Sequence, residues 1–158
     1  LFDRVMVDVP CSGLGALRRR PEARWRKSPR DIAELLPLQR QLLDAAIEAT
    51  RPGGVIAYVT CSPHAAETQN IVAEVLESGA VSLLDSAAAL REVALHTEGA
   101  NGEPESVLAG EKDPCHTPEI KVKKGAPVVK ASENPTTAQL WPHVHGTDAM
   151  FLALLRKN

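Results

Sequence analysis

The chain is read outward from two stretches, Val5-Met6-Val7-Asp8-Val9-Pro10-Cys11-Ser12-Gly13 and Val55-Ile56-Ala57-Tyr58-Val59-Thr60-Cys61-Ser62-Pro63. Each is an apolar run of buried-strand length that ends in Cys-Ser beside a proline or glycine. Parallel sheets present their functional groups just beyond the carboxyl ends of their strands. Two such strands side by side would place Cys11 and Cys61 on one rim. That placement suits chemistry better than packing.

Between the two strands the chain carries helical signals. Ser28 to Asp31 offers helix-start chemistry, and Pro37 is placed to open the main helix at its first turn. Leu38, Leu42, Ala45, Ala46 and Ala49 then recur at helical spacing, and Arg51-Pro52-Gly53-Gly54 stops the helix and turns the chain. With strands over 3–9 and 55–60, a second amphipathic helix over 65–78 and a short strand at 81–84, the order is strand, helix, strand, helix, strand. This is the signature of an α/β fold. A short helix is expected over 87–95. Residues 97–135 hold five prolines with little apolar content, which predicts a long loop without regular structure. The pattern recovers at Thr137–Pro142 and Ala149–Leu155, joined by His143–Asp148, as expected of a closing antiparallel hairpin.

Totals narrow the class. The 158 residues suffice for one core, and 44% hydrophobic with 24% charged residues is a globular composition. No apolar run approaches the roughly 20 residues that cross a bilayer. The start, Leu1-Phe2-Asp3-Arg4, lacks the pattern of a signal peptide and enters a strand at once, so a preceding portion is expected to be missing. Three cysteines, Cys11, Cys61 and Cys115, cannot all pair and have no CxxC spacing. A reducing, cytoplasmic setting follows. His143 and His145 lack acidic or thiol partners at ligand spacing, so no metal site is expected.

The net charge of −2 gives no global attraction to nucleic acid, which leaves local patches. Leu17 to Arg30 holds seven basic residues against one acidic one, directly after the first Cys-Ser turn. Arg18, Arg19, Arg20, Arg24 and Trp25 are therefore candidate RNA contacts, since arginines hold phosphates and aromatic rings stack on bases. The alternative is a solvated loop.

Asp8-Val9-Pro10-Cys11-Ser12-Gly13 together with Thr60-Cys61-Ser62 resembles the NOL1/NOP2/Sun family of RNA cytosine-5 methyltransferases, in its bacterial small-subunit ribosomal RNA branch. Arg19-Arg20-Pro21 with Trp25, the Gln39 helix, Pro52-Gly53-Gly54, Tyr58, Glu67 with Asn70, and the closing Gly146-Thr147-Asp148 with Phe151–Lys157 extend the resemblance. It covers about 1–80 and 137–157. The family's glycine-rich cofactor loop and ribose-binding acid, which lie on earlier strands, have no counterpart here, nor does its N-terminal RNA-binding domain. The resemblance thus implies the C-terminal half of a Rossmann-like, S-adenosylmethionine-dependent catalytic domain, supplying the fourth to seventh strands of the sheet. It implies Cys61 as nucleophile toward carbon 6 of cytosine, Cys11 as the residue assisting breakdown of the adduct, and Asp8 as a contact to the cofactor near the target base. Ribosomal RNA of the small subunit is the implied partner. By itself the fragment is expected to be inactive and to self-associate through its exposed strand at 3–9. Two other readings stay open: a non-catalytic RNA-binding module acting through Arg18–Arg30, and a thiol redox protein using Cys11 and Cys61.

Overall fold

The computed structural model describes residues 1–93, 96–98, 104–106 and 136–158. Strand β1 (Phe2–Asp8) runs into a turn and two short 3-10 segments, Leu14–Ala16 and Pro21–Trp25. Helix α1 (Pro29–Ala49) then returns the chain to strand β2 (Thr50–Thr60), which lies parallel to β1. Helix α2 (Gln69–Glu77), strand β3 (Val81–Leu83) and helix α3 (Ser86–Val93) follow. Strands β4 (His96–Glu98) and β5 (Pro104–Ser106) pair antiparallel with each other. Strand β6 (Ala138–Gln139), the single turn α4 (Pro142–His145) and strand β7 (Phe151–Lys157) close the chain.

The main sheet runs β1-β2-β7-β3, with β6 also paired to β7. The fold is α/β with a mixed sheet, as the strand and helix order predicts. The β6–β7 pairing is the expected closing hairpin, but β7 is no appendage. It enters between β2 and β3 and pairs antiparallel with both. In β2 the side chains alternate strictly, so Ile56, Tyr58 and Thr60 are fully buried. Ile56 and Tyr58 meet Leu43 and Ile47 of α1, Ile71, Val72 and Val75 of α2, and Phe151, Ala153 and Leu155 of β7 in one core. This period of two is what a sheet with one covered face demands. On the opposite face α3 packs on β6 and β7, through Ala87, Leu90 and Leu152.

Five expectations need correction. Pro37 does not open the main helix; it sits inside α1, which starts eight residues earlier. There Pro29 occupies the first turn, and the Asp31 carboxylate accepts from the Ser28 backbone N–H at 2.7 Å. That start holds the helix through the backbone bond that Pro37 cannot donate. The buried stripe of α1 is Gln39, Leu43, Ala46 and Ile47, whereas Leu38 and Ala45 are exposed. A polar Gln39 in the stripe disguised its true phase. Arg51–Gly54 does not separate helix from strand but belongs to β2. Phe2 pairs with Thr50 and Arg4 with Val55, so the extra residues form a bulge, with Gly53 at φ 76°. The helix expected over 65–78 is broken: Ala65–Glu67 is a 3-10 turn, Thr68 leaves helical geometry, and α2 begins at Gln69. The β4–β5 pair likewise adds strands where a structureless loop was expected. The rest of the 97–135 expectation, and Cys115, lie outside the described residues.

Candidate active site

Both Cys-Ser pairs stand just past the carboxyl ends of the two parallel strands. The β1–β2 pairing runs to Asp8 opposite Val59, and the Val9 N–H still donates to the Val59 carbonyl at 3.1 Å. The chains then curl over the rim together. The Gly15 N–H donates to the Cys61 carbonyl at 2.9 Å, and the Ala149 N–H donates to the Gly15 carbonyl at 3.0 Å. A β-carbon at Gly15 would fall 2.1 Å from the Ala149 oxygen and 2.6 Å from the Cys61 oxygen. Only glycine lets the three segments meet this closely.

The result is a thiol pair. The Sγ atoms of Cys11 and Cys61 lie 3.3 Å apart, both half-buried and both reduced. Burial pushes the Cys61 thiol up to about 11, helped by the hydrogen bond and charge of Cys11 and by the Asp8 carboxylate. At rest the sulfur therefore keeps its proton at neutral pH. Asp8 ends β1 with its side chain exposed on the same rim, close enough to act on Cys61 electrostatically.

Under the thiols lies a polar cluster built around Glu67, which is fully buried. Its Oε2 accepts the hydroxyls of Ser12 and Ser62, each at 2.6 Å. Its Oε1 accepts the Ser12 backbone N–H at 2.7 Å and the Gln39 Nε2 at 3.1 Å. The same Gln39 nitrogen donates to the Pro10 carbonyl at 2.9 Å, and the Tyr58 hydroxyl donates to the Glu67 carbonyl at 2.8 Å. Burial pushes this carboxyl upward, but the donors outweigh it and hold Glu67 below its ordinary range. These demands explain the break before α2, because a continuous helix could not turn both the carboxylate and the carbonyl of Glu67 inward. Desolvation also drives the Tyr58 phenol upward, so it donates as a neutral group.

The basic segment divides. Arg19 donates through Nε to the Asp148 carboxylate at 2.8 Å, and Arg18 lies 3.9 Å from the same carboxylate. Arg20, Arg24 and Trp25 are exposed, and the Arg24 guanidinium stacks 5.2 Å from the centre of the Trp25 ring. The structure thus brings Asp8, Cys11 and Cys61 together, ties Arg18 and Arg19 to Asp148, and leaves Arg20, Arg24 and Trp25 on the surface. Reading the residues alone missed Glu67, Ser12, Ser62 and Gln39 as parts of the site. Their one local signal was a glutamine on an apolar helix face; the resemblance touched Glu67 and Gln39 without giving them a task.

Comparison with known proteins gives this geometry a context. A Mycobacterium tuberculosis protein named as a methyltransferase, Rv1407, is 48% identical over 156 residues, which is 99% of this chain and 26% of that protein. Ribosomal RNA small subunit methyltransferase B of Erwinia tasmaniensis is 51% identical over 61 residues, 39% of this chain and 14% of that enzyme. The crystal structure of NSun6 from Pyrococcus horikoshii with SFG shares the fold, with a TM-score of 0.60 at 22% identity over 96% of this chain and 29% of that one. The chain thus spans about a quarter of the length of the relative it matches end to end. The family model of 16S rRNA methyltransferase RsmB/F matches residues 1–156, and the chain belongs to that methyltransferase family.

Proposed function

We propose that this chain forms the thiol-bearing half of an active site that methylates carbon 5 of cytosine in small-subunit ribosomal RNA, with S-adenosylmethionine as methyl donor, in the cytoplasm. The observation that carries the reading is the pair of half-buried thiols 3.3 Å apart on the rim of two parallel strands. Family membership supports the substrate class, and the SFG in the NSun6 structure, an S-adenosylmethionine analogue, supports the cofactor.

Carbon 5 of cytosine is a poor nucleophile. Addition of the Cys61 thiolate to carbon 6 forms a carbon–sulfur bond and leaves carbon 5 enamine-like, able to accept a methyl group. Removal of the carbon-5 proton then expels the thiolate and restores the ring. Cys11 sits within proton-exchange distance of Cys61, where it takes up or returns a proton as the adduct forms and breaks. Asp8 suits the cofactor edge: its carboxylate is exposed at the strand end and takes no hydrogen bond from the described residues. S-adenosylmethionine bound there supplies an electrophilic methyl group. Arg20, Arg24 and Trp25, with Arg18 and Arg19 held at Asp148, supply phosphate contacts and a stacking surface for the RNA. Methyl transfer is assigned to the longer protein, with residues 1–158 alone inactive.

The test is adduct formation. RNA carrying 5-fluorocytidine should be trapped covalently by the full-length protein and not by its Cys61→Ala variant. Cys11→Ala should accumulate adduct with ordinary RNA. Full turnover by Cys61→Ala would overturn the assignment.

A further inference from the structure

We propose that Glu67 is the positioning residue of this site: it ties the two Cys-Ser turns together through the serines and so fixes the distance between the two sulfur atoms. The inference rests on reading Cys11 and Cys61 as the reacting pair.

Each serine directly follows one of the cysteines, and both hydroxyls donate to the same Glu67 oxygen at 2.6 Å. One acceptor atom thereby joins the turn after β1 to the turn after β2. The other oxygen holds the Ser12 backbone N–H, so the peptide next to Cys11 is fixed as well as the side chain. Gln39 spans from that oxygen to the Pro10 carbonyl, the residue before Cys11. Glu67 is itself anchored to β2 by the Tyr58 hydroxyl, three residues before Cys61. Every link ends within a few residues of a thiol.

Packing alone does not require such a device. A buried carboxylate costs several kcal/mol unless it is fully satisfied, and small apolar residues could fill the same space. Here no cation neutralises the charge within the cluster; neutral donors alone satisfy it. Among the described residues, no other carboxylate is buried this completely. What the arrangement supplies is short, directional bonds between two loops whose cysteines must act on one atom. A misplacement of about 1 Å at a reacting centre can cost about 100-fold in rate.

Proximity of the thiols can be read without RNA or cofactor. Diamide joins two thiols as a disulfide, its azo bond taking up the two electrons and two protons that the sulfurs lose. In the full-length protein, the rate of Cys11–Cys61 cross-linking divided by the alkylation rate of each thiol measures how well the pair is held. Ser12→Ala combined with Ser62→Ala should lower that ratio about tenfold, and Glu67→Ala at least as much, with circular dichroism confirming the fold. Glu67→Gln should stay within about threefold of the parent, because an amide still accepts from the Ser12 N–H and can donate to both hydroxyls. Should Glu67→Ala fail to fold, the serine pair and Glu67→Gln decide the matter. An unchanged ratio in the folded serine double variant overturns the proposal. A lowered ratio with undiminished methyl transfer would instead overturn the catalytic reading of the cysteines and leave the clamp intact.

Discussion

The Cys61 sulfur faces opposed requirements. The proposed addition to carbon 6 needs a thiolate, yet burial, the neighbouring Cys11 and the Asp8 carboxylate all favour the thiol and push it up to about 11. At pH 8 only about a thousandth of such a thiol is ionised. Alkylation of Cys61 by iodoacetamide, followed on its own peptide by mass spectrometry in the absence of RNA, should therefore climb about tenfold per pH unit from 8 to 10. A plateau below pH 9 would show that the resting site already holds a thiolate. The linkage to folding has a definite sign. A native thiol that holds its proton while the unfolded one releases it stabilises the unfolded state as pH rises. Stability should thus fall from about pH 9, the ordinary thiol value, and level off above about 11. Glu67 acts at the other end: being held below its ordinary range, it stabilises the fold above the carboxylate range and loses that contribution as pH drops through it.

At the level of elements, the site is a junction of three segments that meet at Gly15. Its N–H reaches Cys61 and its carbonyl reaches Ala149 at the entry to β7. A methyl group there would collide with two backbone oxygens, neither of which can swing aside as a side chain could. Gly15→Ala should cost about 3 kcal/mol of stability, measurable by denaturant unfolding, and should disturb both thiols together. A loss under about 0.5 kcal/mol would show that the turn yields freely. The same junction marks where the sequence was and was not legible. The apolar run Val55–Thr60 reads directly as a strand, but its buried face shows only in the structure, because the run itself does not alternate. The paired Cys-Ser endings announce a rim, because parallel strands present functional groups just beyond their carboxyl ends. Gln39 and Glu67 conceal themselves, since pattern reading assigns polar residues to solvent and these two are wholly inside. Arg51–Gly54 reads as a turn by composition, and only the register between β1 and β2 shows that it is a bulge.

The molecule as a whole has one side that its own residues leave unfinished. Strand β1 pairs only with β2, so its outer edge carries free backbone donors and acceptors among the described residues. Among the charged residues it exposes, Asp3, Arg4 and Asp8, the strand also bares two large apolar side chains: Phe2 is 65% exposed and Met6 73%. An unpaired edge that bares large apolar side chains recruits another strand. We propose that in a protein as long as Rv1407 a further strand of the same sheet covers it, together with the glycine-rich wall and ribose-binding acid of the cofactor pocket. Residues 1–158 made alone should then behave in two linked ways. They should self-associate through β1, so sedimentation velocity should show a concentration-dependent rise in mass. Met6→Lys should suppress it, since a charge on an edge strand discourages pairing. They should also bind S-adenosylmethionine far more weakly than the micromolar range, because Asp8 and two neutral thiols cannot enclose a nucleoside. The two results stand or fall together. A chain that stays monomeric at about 100 μM and gives a micromolar isotherm in titration calorimetry would mean that β1 is a finished edge and that these residues already contain the cofactor site.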